Sequence, residues 1–270
     1  MVKTVMPEVV VFDSEFVPDV ATGRAVFGLE DDGANEYADE YVRERMNQYM
    51  EPDWKRGDDP PMLKSLMYRV VSVSALVRSE PATGSVDLKL VTLSGDEPNI
   101  LDGFFRAVGR KKAQLVGFAS RFFDLPVMAQ RALVHGLKVP EFFDRPEKPW
   151  EGPDYLNRNS DYSVDLMDDL AGGGDHKARP KLDHVARACG IPGKLGMEGK
   201  DVEAAVAAGR LQEVVEYNDF DACTTYLLWA RMCHLSGLLD YQQEKARLAV
   251  LLAVEAKKRR HLAAYLEAMR

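Results

Sequence analysis

The first apolar run, residues 9–13, has the β-branched density of a buried strand, yet it leads straight into Asp13, and Glu15 follows two positions later. Two alternating stretches, 69–78 and 86–94, flank EPATGS, whose Pro and Gly suit a turn, so they predict a hairpin. Helical periodicity covers 96–108 and 125–135, with a short apolar strand at 114–118 between them. Residues 19–68 are acidic and rich in Gly and Pro. They read as an insertion holding one helix, about 35–50, before the turn at 58–61. After a loop at 141–155 rich in Pro and Trp, SVDLMDDL supplies an edge strand that the glycines at 172–174 end. Helices dominate from Leu182 onward. The last of them, 241–270, carries the block Lys257, Lys258, Arg259 and Arg260 and is expected to extend away from the core.

This order of strand, insertion, strand, strand, helix, strand, helix predicts an α/β fold with a mixed central sheet flanked by helices. The expected division is one domain at 1–240 with a C-terminal helix at 241–270. A chain of 270 residues, 46% hydrophobic and 29% charged, can bury the core this needs. No apolar run approaches the ~20 residues of a membrane span, so a cytoplasmic protein is expected. Three cysteines without CxxC spacing indicate neither a zinc site nor a disulfide framework. A net charge of −8 argues against coating nucleic acid by bulk electrostatics, but not against a local grip on one strand end.

Side chains two apart on a strand share a face, so Asp13 and Glu15 emerge side by side, and two such charges are tolerable when a cation sits between them. Hard oxygen ligands select Mg²⁺ or Mn²⁺. Equally, the strand could end at Asp13 with both acids solvated. Asp124 stands where a strand gives way to a Pro-containing helix start, a place where active-site residues collect and also where Asp serves as an ordinary cap. Tyr217 and Asp221 are four apart on a long apolar helix and share one face, while Asp219 falls on the other side. They could equally be a packed tyrosine and an arginine-bonded aspartate.

The ordered set of D-x-E on a first strand, Asp after a central strand and Y-x-x-x-D on a late helix resembles the DEDD superfamily of 3′→5′ exonucleases, in its tyrosine subclass. It is most similar to the exonuclease family related to the proofreading domains of family-B DNA polymerases. The segments FDLPVMAQRAL, VDLMDDL, LDHVARACGIPGKLGMEG and YNDFDACTTYLLWARM also look like that family, and the likeness runs from about residue 9 to about 239. It implies a ribonuclease-H-like fold and a catalytic set of Asp13, Glu15, Asp124, Tyr217 and Asp221. The four acids would hold two Mg²⁺ or Mn²⁺ ions, with Asp13 bridging them, Glu15 and Asp221 completing the coordination of the first ion and Asp124 holding the second ion, partly through water. Tyr217 would orient the attacking water, and a nucleoside 5′-monophosphate would leave from the 3′ end of single-stranded DNA, or of RNA.

Candidate strand contacts are Arg121, Lys194 and the set Lys177, Arg179 and Lys181. Phe16, Phe122 and Phe123 could stack terminal bases. GIPGK lacks the spacing of a phosphate loop, and His184 reads as a surface or packing residue. Two alternatives stand beside the nuclease. One is a catalytically silent module of the same fold that binds nucleic acid or a replication partner, and the other is a small-molecule phosphoesterase.

Overall fold

A computed structural model describes residues 1–29, 38–82, 84–148, 151–172 and 178–270. Five strands form one mixed sheet: β1 (Glu8–Pro18), β2 (Tyr68–Ser79), β3 (Asp87–Ser94), β4 (Gln114–Gly117) and β5 (Ser163–Asp165). Their order is β3-β2-β1-β4-β5, with β1, β2 and β3 antiparallel in succession and β4 and β5 parallel to β1. This is the ribonuclease-H-like arrangement, a mixed sheet flanked by helices.

Alternation along β1 divides the core. Val9 and Val11 face one side, where they pack with Leu227, Leu228 and Trp229 of the long helix α9 defined below. Val10 and Phe12 face the other, against Ile100, Leu101, Phe104 and Phe105. The strand does not stop at the acids; it continues to Pro18 because Val17 returns to the buried face beyond them.

The insertion holds α1 (Val20–Phe27) and α2 (Asp39–Met50), closed over a small core of Val42, Met46, Leu63 and Met67. The helix expected at 35–50 is α2, and positions 35–37 lie outside the described residues. Unexpected α1 starts at Asp19, whose carboxylate accepts from the Thr22 backbone N–H and hydroxyl. Two helices cover the far face: α3 (Glu97–Lys111) and α4 (Asp124–Val134). Buried Arg131 of α4 pairs with Glu97 and Asp19, both at 2.7 Å, so α4 is bolted to α3 and to the root of the insertion. Short helices α5 (Pro140–Phe143) and α6 (Leu166–Leu170) bracket β5, which is only three residues long because Asp165 caps α6 at once.

On the other face lie α7 (Leu182–Ala188), α8 (Val202–Ala207) and α9 (Leu211–Leu235). The segment expected as one protruding helix at 241–270 is instead two, α10 (Tyr241–Glu255) and α11 (Leu262–Ala268), and both pack on α9. The reason is their spacing. Leu248, Leu252, Leu262 and Tyr265 fall on the inward faces and are all fully buried. Within the basic block, Lys257, Lys258 and Arg260 stay exposed, while Arg259 turns inward to Asp219. No described helix is long and apolar enough to cross a membrane.

Candidate active site

The odd-numbered face of β1 changes from Val9 and Val11 to Asp13 and Glu15 where α9 crosses it. Asp13 lies opposite Ser74 of β2 and Glu15 opposite Ser72, and a register shift follows between Glu15 and Phe16. Such an irregularity bends the strand and re-aims its side chains. Asp221 reaches the same point from α9, so that carboxylate oxygens of Asp13, Glu15 and Asp221 lie within 4.8 Å of one another. Tyr217, one turn earlier on α9, and Asp124, the first residue of α4, line the same cleft of about 710 Å³. Asp124 stands outside the tight trio because its carboxylate accepts a hydrogen bond from the Ser14 hydroxyl.

The electrostatics follow from this crowding. Burial, then the charges of Asp221, Glu15 and Asp124, push the Asp13 carboxyl well above the carboxylate range. Glu15 is raised in the same way, by burial and then by Asp221 and Asp124. Burial also lifts Asp221, against a Tyr217 hydrogen bond and the nearby Lys194 charge, and pushes Asp124 up to about 6. Among the described residues, no lysine or arginine forms an ion pair with any of the four. The group is a concentrated negative site that the nearby Lys194 charge offsets only in part. Burial and then the charges of Asp221 and Glu15 raise the Tyr217 phenol far beyond its usual value, so it keeps its proton.

Several supports carried no recognisable sequence signal. Fully buried Asn218 donates from Nδ2 to Asp13 Oδ2 at 2.8 Å, and its own carbonyl accepts from the Ser72 hydroxyl at 2.9 Å. The carboxylate of fully buried Asp165 accepts from the backbone N–H groups of Ala119, Arg121, Met167 and Asp168 at 3.0–3.2 Å. It thereby holds the loop that delivers Asp124. Asp219, a superfluous acid by the motif, anchors structure: it accepts from Ser74, Thr92, Arg259 and His261.

The expected strand contacts divide. Lys181 and Lys194 line the cleft beside exposed His184 and Lys200, and the Lys194 ammonium sits 5.3 Å from the Tyr217 ring centre. Phe123 lines it too, with its ring wedged edge-on between Phe16 and Tyr68, each at 5.2 Å. Phe16 is therefore packing behind Phe123 and does not line the cleft. Exposed Phe122 lies outside the cleft under the Arg179 guanidinium, 4.2 Å away. Arg121 is turned away altogether: its guanidinium bonds the Ser163 carbonyl and faces Asp168 at 3.5 Å, lining a separate pocket. The loop runs beside β5 here: Ala119 adopts a left-handed φ of 61°, and the backbone N–H groups of Ala119 and Arg121 both donate to Asp165. Lys177 lies outside the described residues. Met62, contributed by the insertion and 70% exposed, adds an apolar rim that sequence reading did not anticipate.

No curated protein matches the chain. Among solved structures, the family B DNA polymerase of the hyperthermophilic archaeon Pyrobaculum calidifontis is similar over 94% of this chain and 29% of the polymerase chain, at 16% identity and a TM-score of 0.44. The ExoI/SSB-Ct complex is similar over 61% of this chain and 41% of its own, at 14% identity and a TM-score of 0.25. The chain thus spans well under half the length of either. A family described as "Predicted 3'-5' exonuclease related to the exonuclease domain of PolB" matches residues 60–269, which hold Asp124, Tyr217, Asp221 and the C-terminal helices, while Asp13 and Glu15 precede the matched stretch. With that much of the chain matched, it belongs to this family of predicted 3′–5′ exonucleases related to the PolB exonuclease domain.

Proposed function

We propose that the chain is a metal-dependent 3′→5′ exonuclease that removes nucleoside 5′-monophosphates from single-stranded DNA. The observation that carries this reading is the meeting of Asp13, Glu15 and Asp221 oxygens within 4.8 Å, with Asp124 and Tyr217 in the same cleft. Carboxylate oxygens held together without an ion-paired lysine or arginine suit a hard divalent ion, Mg²⁺ or Mn²⁺, and the donor set fits such an ion on chemical grounds. Asp13, Glu15 and Asp221 are the residues to hold one ion, and Asp124 would share a second with Asp13. When bound, the ions supply Lewis-acid polarisation of the phosphodiester and a more acidic water.

The chain's own groups have complementary tasks. Tyr217, kept protonated, donates a hydrogen bond that orients the nucleophile or a phosphate oxygen. Lys181, Lys194 and Lys200 line the mouth with positive charge against the phosphates. The fixed Phe123 ring and Met62 offer apolar faces to a terminal base. A cleft of about 710 Å³ falls in the size range of ordinary ligand pockets, about 300–1,000 Å³, which suits a strand end.

The test is incubation of end-labelled single-stranded DNA with Mn²⁺ or Mg²⁺, beside Asp13→Asn. Stepwise shortening from the 3′ end that Asp13→Asn abolishes is expected. Tight binding without shortening in either metal would replace this reading with the silent module, and faster cutting of RNA would reassign the substrate.

A further inference from the structure

We infer that Asn218 is a positioning residue for the divalent ion, acting through Asp13; this rests on the metal-dependent reading above. Asp13 comes from β1 and Asp221 from α9, so the distance between the carboxylates depends on how these two elements are joined. Asn218 is the direct tie. It sits on α9 between Tyr217 and Asp221, is fully buried, and donates from Nδ2 to Asp13 Oδ2 at 2.8 Å. Its orientation is fixed from behind, because the Ser72 hydroxyl lies 2.9 Å from Oδ1 and donates to it. Ser72 is itself fully buried on β2, directly opposite Glu15.

The chain Ser72 to Asn218 to Asp13 has one chemical sense. An amide nitrogen can only donate and a carboxylate oxygen only accept, so the relay presents a hydrogen to Oδ2 of Asp13 and leaves lone pairs of the carboxylate for an ion. A donor of this kind has two effects on a liganding carboxylate. It fixes the rotamer, and it stabilises the ionised form that must bind the ion, as supporting hydrogen bonds do around liganding groups generally.

The experiment uses the full chain and Mn²⁺ alone as the probe, with affinity measured by titration calorimetry and thermal unfolding measured without metal. Asn218→Leu keeps the γ-branched outline, at a larger volume, and removes both bonds; Ser72→Ala with Asn218→Leu also removes the stranded hydroxyl and frees space, so it serves if the single variant folds poorly. Mn²⁺ affinity 10–100-fold weaker in both variants is expected. Trp229→Phe, a buried change further along α9, is the control for lost packing and should leave the affinity unchanged. Wild-type affinity in either folded Asn218 variant overturns the positioning role while leaving the metal site standing. Equal loss in Trp229→Phe also overturns it, since packing alone would then explain the effect. A wild-type chain that binds no Mn²⁺ overturns both this inference and the metal-dependent reading.

Discussion

Burial pushes Asp124 up to about 6 from an ordinary 3.8, even with the Ser14 hydroxyl donating to it. A carboxyl raised in the folded state stabilises the fold below its unfolded pKa, and that contribution is lost as pH rises through the folded value. For Asp124 the loss falls between about pH 4 and 6, and Asp13 and Glu15, raised in the same direction, add to it. Mn²⁺ relieves this repulsion only where the acids are ionised. The rise in Tm on adding Mn²⁺ should therefore be small at pH 5 and large at pH 7.5, where an ion at 100 times its Kd contributes about 2.7 kcal/mol. A pH-independent rise in calorimetry would place the ion elsewhere. Tyr217 makes the opposite case: with its phenol protonated throughout, Tyr217→Phe should lower kcat roughly 10²-fold and leave the shape of the rate–pH profile unchanged from pH 6.5 to 9. A limb that disappears with the hydroxyl would make the phenol a base. The five residues of the proposed site were singled out by their order along the chain and the resemblance it carries, because each alone reads equally as a solvated acid, a helix cap or a packed tyrosine. Asn218, Ser14 and Asp165 were not, since ordinary polar residues gain meaning only from partners distant in sequence. Arg121 shows the converse, a residue near Asp124 in sequence whose side chain leaves in another direction.

At the scale of elements, β1 showed as a β-branched apolar run, the hairpin of β2 and β3 as alternation, and α3 and α4 as helical periodicity, with α9 as a long apolar helix. Patterning failed where a single tertiary bond decides. Strand β5 stops after three residues because the Asp165 carboxylate takes four backbone N–H groups, two opening α6 and two in the 119–121 loop. That loop contains Ala119 at φ 61°, a conformation that disfavours a side chain by about 1–2 kcal/mol and needs outside support. Asp165→Asn leaves one carbonyl oxygen to serve four donors. Two orphaned donors at about 1–2 kcal/mol each predict a loss of about 2–4 kcal/mol in urea unfolding. A change below about 0.5 kcal/mol would mean that the loop holds its shape without Asp165.

Across the whole molecule, the question is whether the C-terminal helices belong to the fold. Their basic block suggested a free tail, because four consecutive cations normally face water. Yet the family match runs to residue 269, and α10 reaches the sheet through a buried ionic knot. Glu244, 1% exposed, meets Arg78 of β2 at 3.4 Å and also accepts from Tyr226 of α9 and from Arg247. Further along, Arg259 and His261 close on Asp219, and the Tyr265 hydroxyl pairs with Thr224 at 2.8 Å. The ties at Asp219 and Tyr226 grip α9 on the side away from Tyr217 and Asp221, and the tie at Thr224 grips it on their own side two turns beyond Tyr217, so the tail holds the helix that carries both residues. Removing one member of a buried pair is expensive because the other charge stays behind. Glu244→Ala should therefore lower stability by roughly 3 kcal/mol, the low end for such pairs, since Glu80 still faces Arg78 at 2.9 Å. Exposed Lys258→Ala and Arg260→Ala should each stay within about 0.5 kcal/mol of the parent in the same urea titration. If Glu244→Ala were equally silent, α10 would be an appendage, and the joint packing of α9 between sheet and tail would not be what holds Asp221 against Asp13.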